Sequence, residues 1–124
     1  MIDHVSIAVS DLDRAVTLYQ RALEPLGLIK LVVRPAAVGF GKTYPELWIN
    51  LRSGMQRVAP DGGAHICLRA RSVTEIDAFH AAALAAGAIS ESPPSLRPHD
   101  RVRYYAAFIV DHDGNRIEAV TFLQ

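Results

Sequence analysis

The sequence has a single cysteine, no excess of charge of either sign and no long apolar run. Because Cys67 has no second cysteine to pair with, an internal disulfide is excluded, and we expect a reducing compartment, the cytoplasm. Thirteen basic side chains balance thirteen acidic ones, which removes the electrostatic reason to expect nucleic acid or an anionic membrane as a partner. No apolar run approaches the roughly 18 residues of a membrane helix, and we see no signal peptide.

The composition is that of an ordinary globular protein. Half of the 124 residues are hydrophobic and 21% are charged. A chain of this length buries roughly two-thirds of the surface that its unfolded form exposes. We therefore expect one domain, 1–124, with a substantial core.

The first half of the chain reads as a strand, a helix and three strands. Residues 1–9 alternate between apolar and other side chains, the pattern of a half-buried strand. Ser10 is the expected N-cap of a helix that runs to about Glu24, where Pro25 and Gly27 end it. Three shorter extended segments follow, at 28–34, 37–41 and 46–52.

After a loop at 53–63, rich in glycine and polar residues, the pattern restarts. A strand at 64–68 precedes a capping box formed by Ser72 and Glu75, and Gly87 closes the helix that follows. The remaining predicted segments are strands at 88–91, 104–110 and 116–122, a proline-rich loop at 92–99 and a turn at 111–115.

The two halves match in order when they are laid over one another. His4 falls on His65, and Gly27 lies near Gly87. The predicted fold class is α+β, with module one at about 1–55 and module two at about 63–124. A module of roughly 60 residues buries little surface by itself, so we expect the two to pack together, with helices on one face of each sheet.

The other face of each sheet carries the polar side chains of interest. Alternate residues of a strand point to opposite faces. Val5 and Ile66 belong to the helix-packed sets of their strands, so His4 and His65 face the other way. Glu118 has the matching parity in the last strand. The same free faces are predicted to carry Ser6, Trp48, Asn50 and Cys67.

Two imidazoles and one carboxylate on a shared face form a common ligand set for a divalent metal. Three protein ligands leave coordination positions open for a substrate oxygen or a water. The alternative is structural, with hydrogen-bonded histidines and a solvated Glu118. The equivalent places of His4 and His65 in the two halves favour the metal.

Two segments resemble a known superfamily. Residues 2–12, IDHVSIAVSDL, followed by Ala15 and by Leu18 and Tyr19, resemble the opening of the vicinal oxygen chelate superfamily. It includes glyoxalase I, extradiol dioxygenases, fosfomycin-resistance transferases, methylmalonyl-CoA epimerases and bleomycin-resistance proteins. Residues 108–118, FIVDHDGNRIE, are similar to its D-P-D-G-N-x-I-E signature, with His112 in place of proline. The resemblance covers the whole chain.

The resemblance implies two βαβββ modules that form a cupped mixed sheet with helices on the outer face. It also implies a divalent metal (Fe, Mn, Zn or Ni) held by His4, His65 and Glu118. Glyoxalase I and the epimerases place a further Glu or Gln ligand where this sequence has Asn50. Because asparagine is a shorter and poorer ligand, the remaining set looks more like that of the extradiol dioxygenases or the fosfomycin transferases.

Each of those two groups carries an additional requirement. The dioxygenase relatives add a catalytic histidine and tyrosine, for which His99 and either Tyr104 or Tyr105 are candidates by residue type. Strand parity sends one of the two tyrosines to each face and does not say which one. We take Tyr105, together with Glu118, as the candidate catalytic residues.

The transferases need positive charge for an anionic substrate. The basic segment 92–103 is either a solvated loop or a lid that contacts such a substrate. The full set of candidate substrate-binding residues is Ser6, Trp48, Asn50, Cys67, Arg101 and Arg103.

The leading hypothesis is a metal-dependent enzyme that binds a small substrate through two adjacent oxygens, with dioxygenase, lyase or transferase chemistry. The alternative is a metal-free ligand-binding protein of the bleomycin-resistance type, which Asn50 and the nearby Trp48 favour. The resemblance also implies a homodimer. Whether the modules pair within one chain or between two is open from the sequence.

Overall fold

The structure, a computed structural model, describes residues 1–98 and 101–123. Its elements are β1 (Val5–Val9), α1 (Leu12–Leu23), a short 3-10 helix (Glu24–Leu26), β2 (Ile29–Arg34), β3 (Ala37–Gly41), β4 (Leu47–Leu51), β5 (Ile66–Arg69), α2 (Val73–Ala85), β6 (Ile89–Arg97), β7 (Arg103–Val110) and β8 (Arg116–Leu123). The predicted α+β class is confirmed, with one strand, one helix and three strands in each half. Within the described ranges, no helix is long and apolar enough to cross a membrane.

The strands form two four-stranded mixed sheets of identical topology. The first sheet has the order β1-β4-β3-β2 and the second has the order β5-β8-β7-β6. In each sheet the first strand of the half pairs in parallel with the last strand, and the other pairs are antiparallel. The two sheets are therefore structural repeats, as the matching of the two halves predicted.

One core contains side chains from both halves. Val9, Tyr19 and Ile49 of the first half lie in the same fully buried cluster as Phe79 and Ile117 of the second. Successive residues of a strand face opposite ways, so one face of each sheet packs on this core with the helices. The opposite face of each sheet is called its open face below.

The helix starts follow the local sequence, with one correction. Ser72 caps α2 as predicted, because its hydroxyl accepts a hydrogen bond from the Glu75 N–H at 3.2 Å. At α1 the prediction of Ser10 as N-cap was wrong. The Asp11 carboxylate accepts from the Arg14 N–H instead, at 3.0 Å. The Ser10 N–H is used elsewhere and donates to the Asp113 carboxylate at 3.0 Å.

The predicted proline-rich loop at 92–99 was also wrong over most of its length. Residues 89–97 form β6, which lies at the outer edge of the second sheet. An edge strand tolerates proline, because one side of its backbone needs no partner. Shifts of register between Ser90 and Ser92, and between Ser92 and Ser95, accommodate the two prolines. The lid hypothesis for 92–103 therefore fails for residues 92–97, while His99 lies outside the described residues.

The turn at 111–115 joins the two halves. The buried Asp111 carboxylate accepts a hydrogen bond from the Tyr19 hydroxyl of α1 at 2.6 Å. It also accepts three bonds from within the turn, from the Asp113 N–H and from both the backbone and the side chain of Asn115. The Asn115 amide group donates onward to the Ala8 carbonyl of β1 at 2.8 Å. We call Tyr19, Asp111, Asp113 and Asn115 the clamp.

Replacing Tyr19 with phenylalanine tests the clamp. The variant loses a charge-assisted hydrogen bond in a buried setting, and we expect the free energy of unfolding to fall by about 1.5–3 kcal/mol at neutral pH. Tyr44→Phe is the matched control, because Tyr44 is half-exposed and its hydroxyl lies 3.5 Å from the Asp3 carbonyl. Urea unfolding of the three proteins gives the comparison, and equal midpoints would contradict the role of Tyr19.

The same variant has a defined pH dependence. Burial, reinforced by the Asp111 carboxylate, raises the pKa of Tyr19 well above its ordinary value of 10.0. The stabilisation from neutral Tyr19 is therefore complete below about pH 10 and falls as the pH rises further, because the unfolded tyrosine ionises first. We expect the stability difference between wild type and Tyr19→Phe to shrink as the pH rises from about 10 to about 11. A constant difference over that range would exclude the buried phenol as its source.

Trp48 lies on the open face of the first sheet, where Gly39 leaves room for its ring. Gly39 is the register partner of Trp48, and a methyl group added there would lie 3.1 Å from the indole and 2.8 Å from Pro45 Cβ. On the same ring, the Arg34 guanidinium carbon lies 4.9 Å from the centroid. The small residue at position 39 therefore sets the position of this ring.

Gly39→Ala should displace the indole and destabilise the protein by about 1–3 kcal/mol through overpacking. Trp48 is the single tryptophan of the sequence, so its emission spectrum reports the displacement directly. Gly62→Ala is the control, because the nearest atom to its added methyl group lies 3.4 Å away. An unchanged emission maximum in Gly39→Ala would show that the ring does not depend on this position.

Candidate functional site

The open face of the second sheet presents a glutamate, a cysteine and a phenylalanine side by side. In the strand register Glu118 of β8 is opposite Cys67 of β5 on one side and Phe108 of β7 on the other. Opposed residues in neighbouring strands point to the same face, so these three side chains share the open face. Glu118 is buried, with 9% of its surface exposed. A carboxylate so buried needs a polar partner.

His65 supplies that partner. Its Nε2 lies 3.1 Å from Glu118 Oε1, and its ring packs against Phe108 with the ring centroids 5.3 Å apart. An ionised carboxylate accepts only, so the Nε2–H donates to it in this arrangement. The histidine side chain itself is 39% exposed. The Glu118 carboxylate of this pair is therefore buried, whereas the His65 imidazole is accessible from solvent.

A largely apolar cavity opens next to Glu118. Its volume is about 380 Å³, within the range that small-molecule sites occupy. We call this cavity the cup, and it is lined by Cys67, Val102, Tyr104, Glu118, Val120 and Phe122. The arrangement offers a small organic molecule an apolar wall and one carboxylate.

Cys67 lies in the wall of the cup, as its place on the free face predicted. Burial, and then the nearby Glu118 carboxylate, raise the pKa of the thiol to about 12. The thiol is therefore protonated at neutral pH and hydrogen-bonds the carboxylate. A protonated thiol is a poor nucleophile and a poor metal ligand.

In the described part of the chain, His4 forms no hydrogen bond or ion pair with His65 or Glu118. Its Nδ1 is 2.7 Å from Asp3 Oδ2, and half of its side chain is exposed. It lines a depression that also contains Glu46, His65 and Cys67, and Cys67 lines the cup as well. Within residues 1–98 and 101–123, no three histidine, cysteine, aspartate or glutamate side chains of one chain come together as a metal-binding group. Of the three predicted ligands, the structure brings His65 and Glu118 into contact.

The two adjacent tyrosines separate as strand parity requires, and Tyr104 is the one in the cup. Tyr105, the candidate catalytic tyrosine, faces α2, where its hydroxyl donates to Asp77 at 2.6 Å. Tyr105 packs against the core and is directed away from Glu118. Arg103, two residues earlier in β7, has the parity of Tyr105 and so is also directed away from the cup. Arg101 precedes β7.

The remaining candidates belong to the other sheet. Ser6 and Trp48 are register partners in β1 and β4, and Ala8 and Asn50 are register partners two residues further along the same strands. Ser6, Trp48 and Asn50 therefore share the open face of the first sheet, as predicted, and do not line the cup beside Glu118. Ser6 lines a depression that also contains His65.

Two phenylalanines at or beside the cup and one nearby arginine were not predicted from the sequence. Phe108 and Phe122 are register neighbours of Glu118 and Tyr104, a relation that depends on how β7 pairs with β8. Arg97 lies with its guanidinium carbon 5.7 Å from the Phe108 centroid. It was placed in a loop, so its direction could not be inferred. Strand parity would have found it once β6 was known to continue to Arg97.

Known structures share this fold. A glyoxalase/bleomycin resistance protein from Albidiferax ferrireducens T118 superposes with a TM-score of 0.84 and 29% identity, over 95% of this chain and 96% of that one. A glyoxalase/bleomycin resistance protein/dioxygenase from Alicyclobacillus acidocaldarius gives 0.70 and 19%, over 100% and 92%. The fosfomycin resistance protein FosX from Listeria monocytogenes gives 0.67 and 17%, over 97% and 91%.

The comparison with curated proteins gives no match. A family model provides the assignment instead. The model of the glyoxalase/bleomycin resistance protein/dioxygenase superfamily matches residues 1–119, nearly the whole chain. The chain therefore belongs to the glyoxalase/bleomycin resistance protein/dioxygenase superfamily.

Proposed function

We propose that this protein is an enzyme that binds a small organic substrate at a divalent metal ion, with His65 and Glu118 as ligands from one chain and His4 as the third. The contact between His65 Nε2 and Glu118 Oε1, at 3.1 Å on the open face of the second sheet, is the observation that carries the proposal. The pair adjoins the cup, which is large enough for a small molecule.

The chemistry of the donors fits such an ion. A neutral imidazole and a carboxylate suit Fe, Mn, Zn or Ni. The Glu118 carboxylate is buried and lies 3.1 Å from the His65 imidazole. Because both side chains would bind the same ion, little rearrangement is needed to bring these two ligands together. When bound, the ion would supply Lewis acidity toward substrate oxygens.

The chain's own residues would bind and orient the substrate. Tyr104 and Phe122 form adjacent rings in the cup, with centroids 6.1 Å apart, and Val102 and Val120 complete an apolar wall. Such a wall excludes water from the substrate and strengthens polar interactions at its edge. The Tyr104 hydroxyl would offer a hydrogen-bond donor to a substrate oxygen at this wall.

A second copy of the chain is proposed to supply His4. The open faces of both sheets carry the candidate residues, and apolar side chains such as Phe122 and Val102 are 45% and 43% exposed at the cup. Covering one open face with the other would bury these side chains, which is the driving force of most homodimers. His4, Ser6, Trp48 and Asn50 of one copy would then face the cup of its partner.

Metal content tests the ligand assignment. Purified wild type, His65→Ala and Glu118→Gln are stripped with chelator and reloaded with Fe(II), Mn(II), Zn(II) or Ni(II), and bound metal is measured by elemental analysis. We expect wild type to retain one of the four ions and both variants to lose at least about 10-fold in affinity, because each removes one ligand.

His80→Gln is the matched control, since His80 lies on α2 with its Nε2 bonded to Ser90 and should leave metal content unchanged. Equal and negligible metal in wild type and variants would overturn the proposal and favour metal-free ligand binding. Oxygen uptake by the Fe(II) form then separates dioxygenase chemistry from lyase or transferase chemistry.

Mixing two variants that each lack one proposed ligand tests whether the site is shared between copies. His4→Ala and Glu118→Gln each lack one ligand. In a mixed dimer one of the two sites regains the full set if the ligands come from different chains, so about one site in four of an equal mixture should bind metal. If all three ligands belonged to one chain, mixing would restore nothing. Sedimentation velocity on the same samples verifies that dimers are present, and native mass spectrometry verifies that mixed dimers form.

A further inference from the structure

Arg97, the last residue of β6, faces the same side as the cup. Its register partner is Tyr104, and the partner of Tyr104 in β8 is Phe122, so the three side chains point the same way. Its guanidinium carbon lies 5.7 Å from the centroid of Phe108. Because His65 packs on that ring at 5.3 Å, Arg97 and the His65 imidazole are neighbours of a single aromatic side chain.

The hydrogen bonds of Arg97 are incomplete. A guanidinium carries five N–H donors. Among the described residues, Arg97 uses one of them, on Nη2, to donate to Ser92 Oγ. Its Nε is buried without an acceptor. Across the part of the chain that the structure describes, no carboxylate lies within ion-pair distance of it. A buried donor left without an acceptor destabilises the folded chain, so an anion that binds beside Arg97 would supply a missing hydrogen-bond acceptor.

Other arginines near the second sheet differ from Arg97 in this respect. Arg116 is bound to the Glu91 carboxylate, and Arg71 to that of Glu75. Arg69 stacks on Phe122 with its guanidinium carbon 4.4 Å from the centroid, but it is exposed and can be hydrated there. Arg97 is thus partly buried, lies against the Phe108 ring and has N–H donors with no acceptor among the described residues.

We propose that Arg97 is the anion-binding residue of the site and that the substrate is a small organic oxyanion. Its negatively charged group, a carboxylate or a phosphonate, pairs with the guanidinium, and its apolar body lies against Tyr104 and Phe122. A planar fork of N–H donors suits such groups, because two oxygens can be bonded at once. This inference rests on the proposed function, since it assigns the substrate class of the same site.

Binding of three matched probes tests the charge. Phenylacetate and phenylphosphonate carry the oxyanion on an apolar ring, and phenylacetamide is the neutral isostere of phenylacetate. In isothermal titration with wild type we expect at least one of the two anions to bind, and to bind about 10-fold or more tightly than the amide. Anions and amide binding equally, or no binding of either anion at millimolar concentration, would overturn the proposal.

Three variants assign that preference to a residue. Arg97→Gln should weaken binding of the anion about 10-fold or more while leaving the amide unchanged, and Arg97→Lys should restore part of the loss because it keeps the charge without the fork. Arg71→Gln is the control, since it removes an equal charge outside the cup. Equal weakening by Arg71→Gln would show that the effect is one of net charge, and the assignment to Arg97 would be wrong.

An NMR signal of Arg97 in wild type tests the assignment without relying on the folding of the variants. In wild type the Nε–H of Arg97 should give a separate ¹⁵N-edited NMR signal that shifts on adding the anion and not on adding the amide. Arg97→Gln identifies that signal by removing it. An Arg97 signal that stays in place while the anion binds would locate the anion elsewhere and overturn the proposal.

The same samples distinguish this inference from the proposed function. Arg97 is not among the metal ligands, so Arg97→Gln should keep the metal content of wild type. If wild type binds no metal but its anion binding still depends on Arg97, the proposed function is wrong and this inference holds. If wild type binds metal but its anion binding does not depend on Arg97, the proposed function holds and this inference is wrong.

Discussion

The buried Asp111 carboxylate is the constraint on which the relation between the two halves depends. It accepts four hydrogen bonds, one from α1 and three from its own turn. A buried carboxylate is tolerated only when its oxygens are partnered, so donors from both halves are needed together. β8 starts directly after this turn, and Asn115 also reaches the backbone of β1. The interaction that joins the halves therefore also positions the strand that carries Glu118.

The site is built by adding polar groups to a surface that packing leaves uncovered. The helices cover one face of each sheet, and the four-stranded pairing places Glu118 between Cys67 and Phe108 on the other face. Burial of Glu118 then requires a donor, which His65 provides. The aromatic rings nearby lower the local polarity and strengthen that contact. Glu118 is therefore both a residue of the candidate site and a residue fixed by the packing of the sheet.

Strand parity is local, and it predicted which face His65, Cys67 and Glu118 would share. The partners of those residues are not local. Whether Tyr104 or Tyr105 enters the cup depends on how β7 pairs with β8, which no alternation within one strand reveals. Arg97 was missed because two prolines suggest a loop, whereas an edge strand accommodates them. The cap of α1 was misplaced because Ser10 bonds a residue more than a hundred positions away. The fold was predictable from repeated local patterns, and the contacts that complete the site were not.

The prolines of β6 have a consequence for how copies of this chain can meet. β6 forms the outer edge of the second sheet, and Ile89 and Leu96 in it are 59% and 46% exposed. A straight, apolar edge of this kind invites another strand to extend the sheet. Pro93 and Pro94 have no N–H to offer, and the bulges around them interrupt the spacing that an incoming strand must match. The prolines and bulges of β6 therefore discourage edge-to-edge aggregation at this strand.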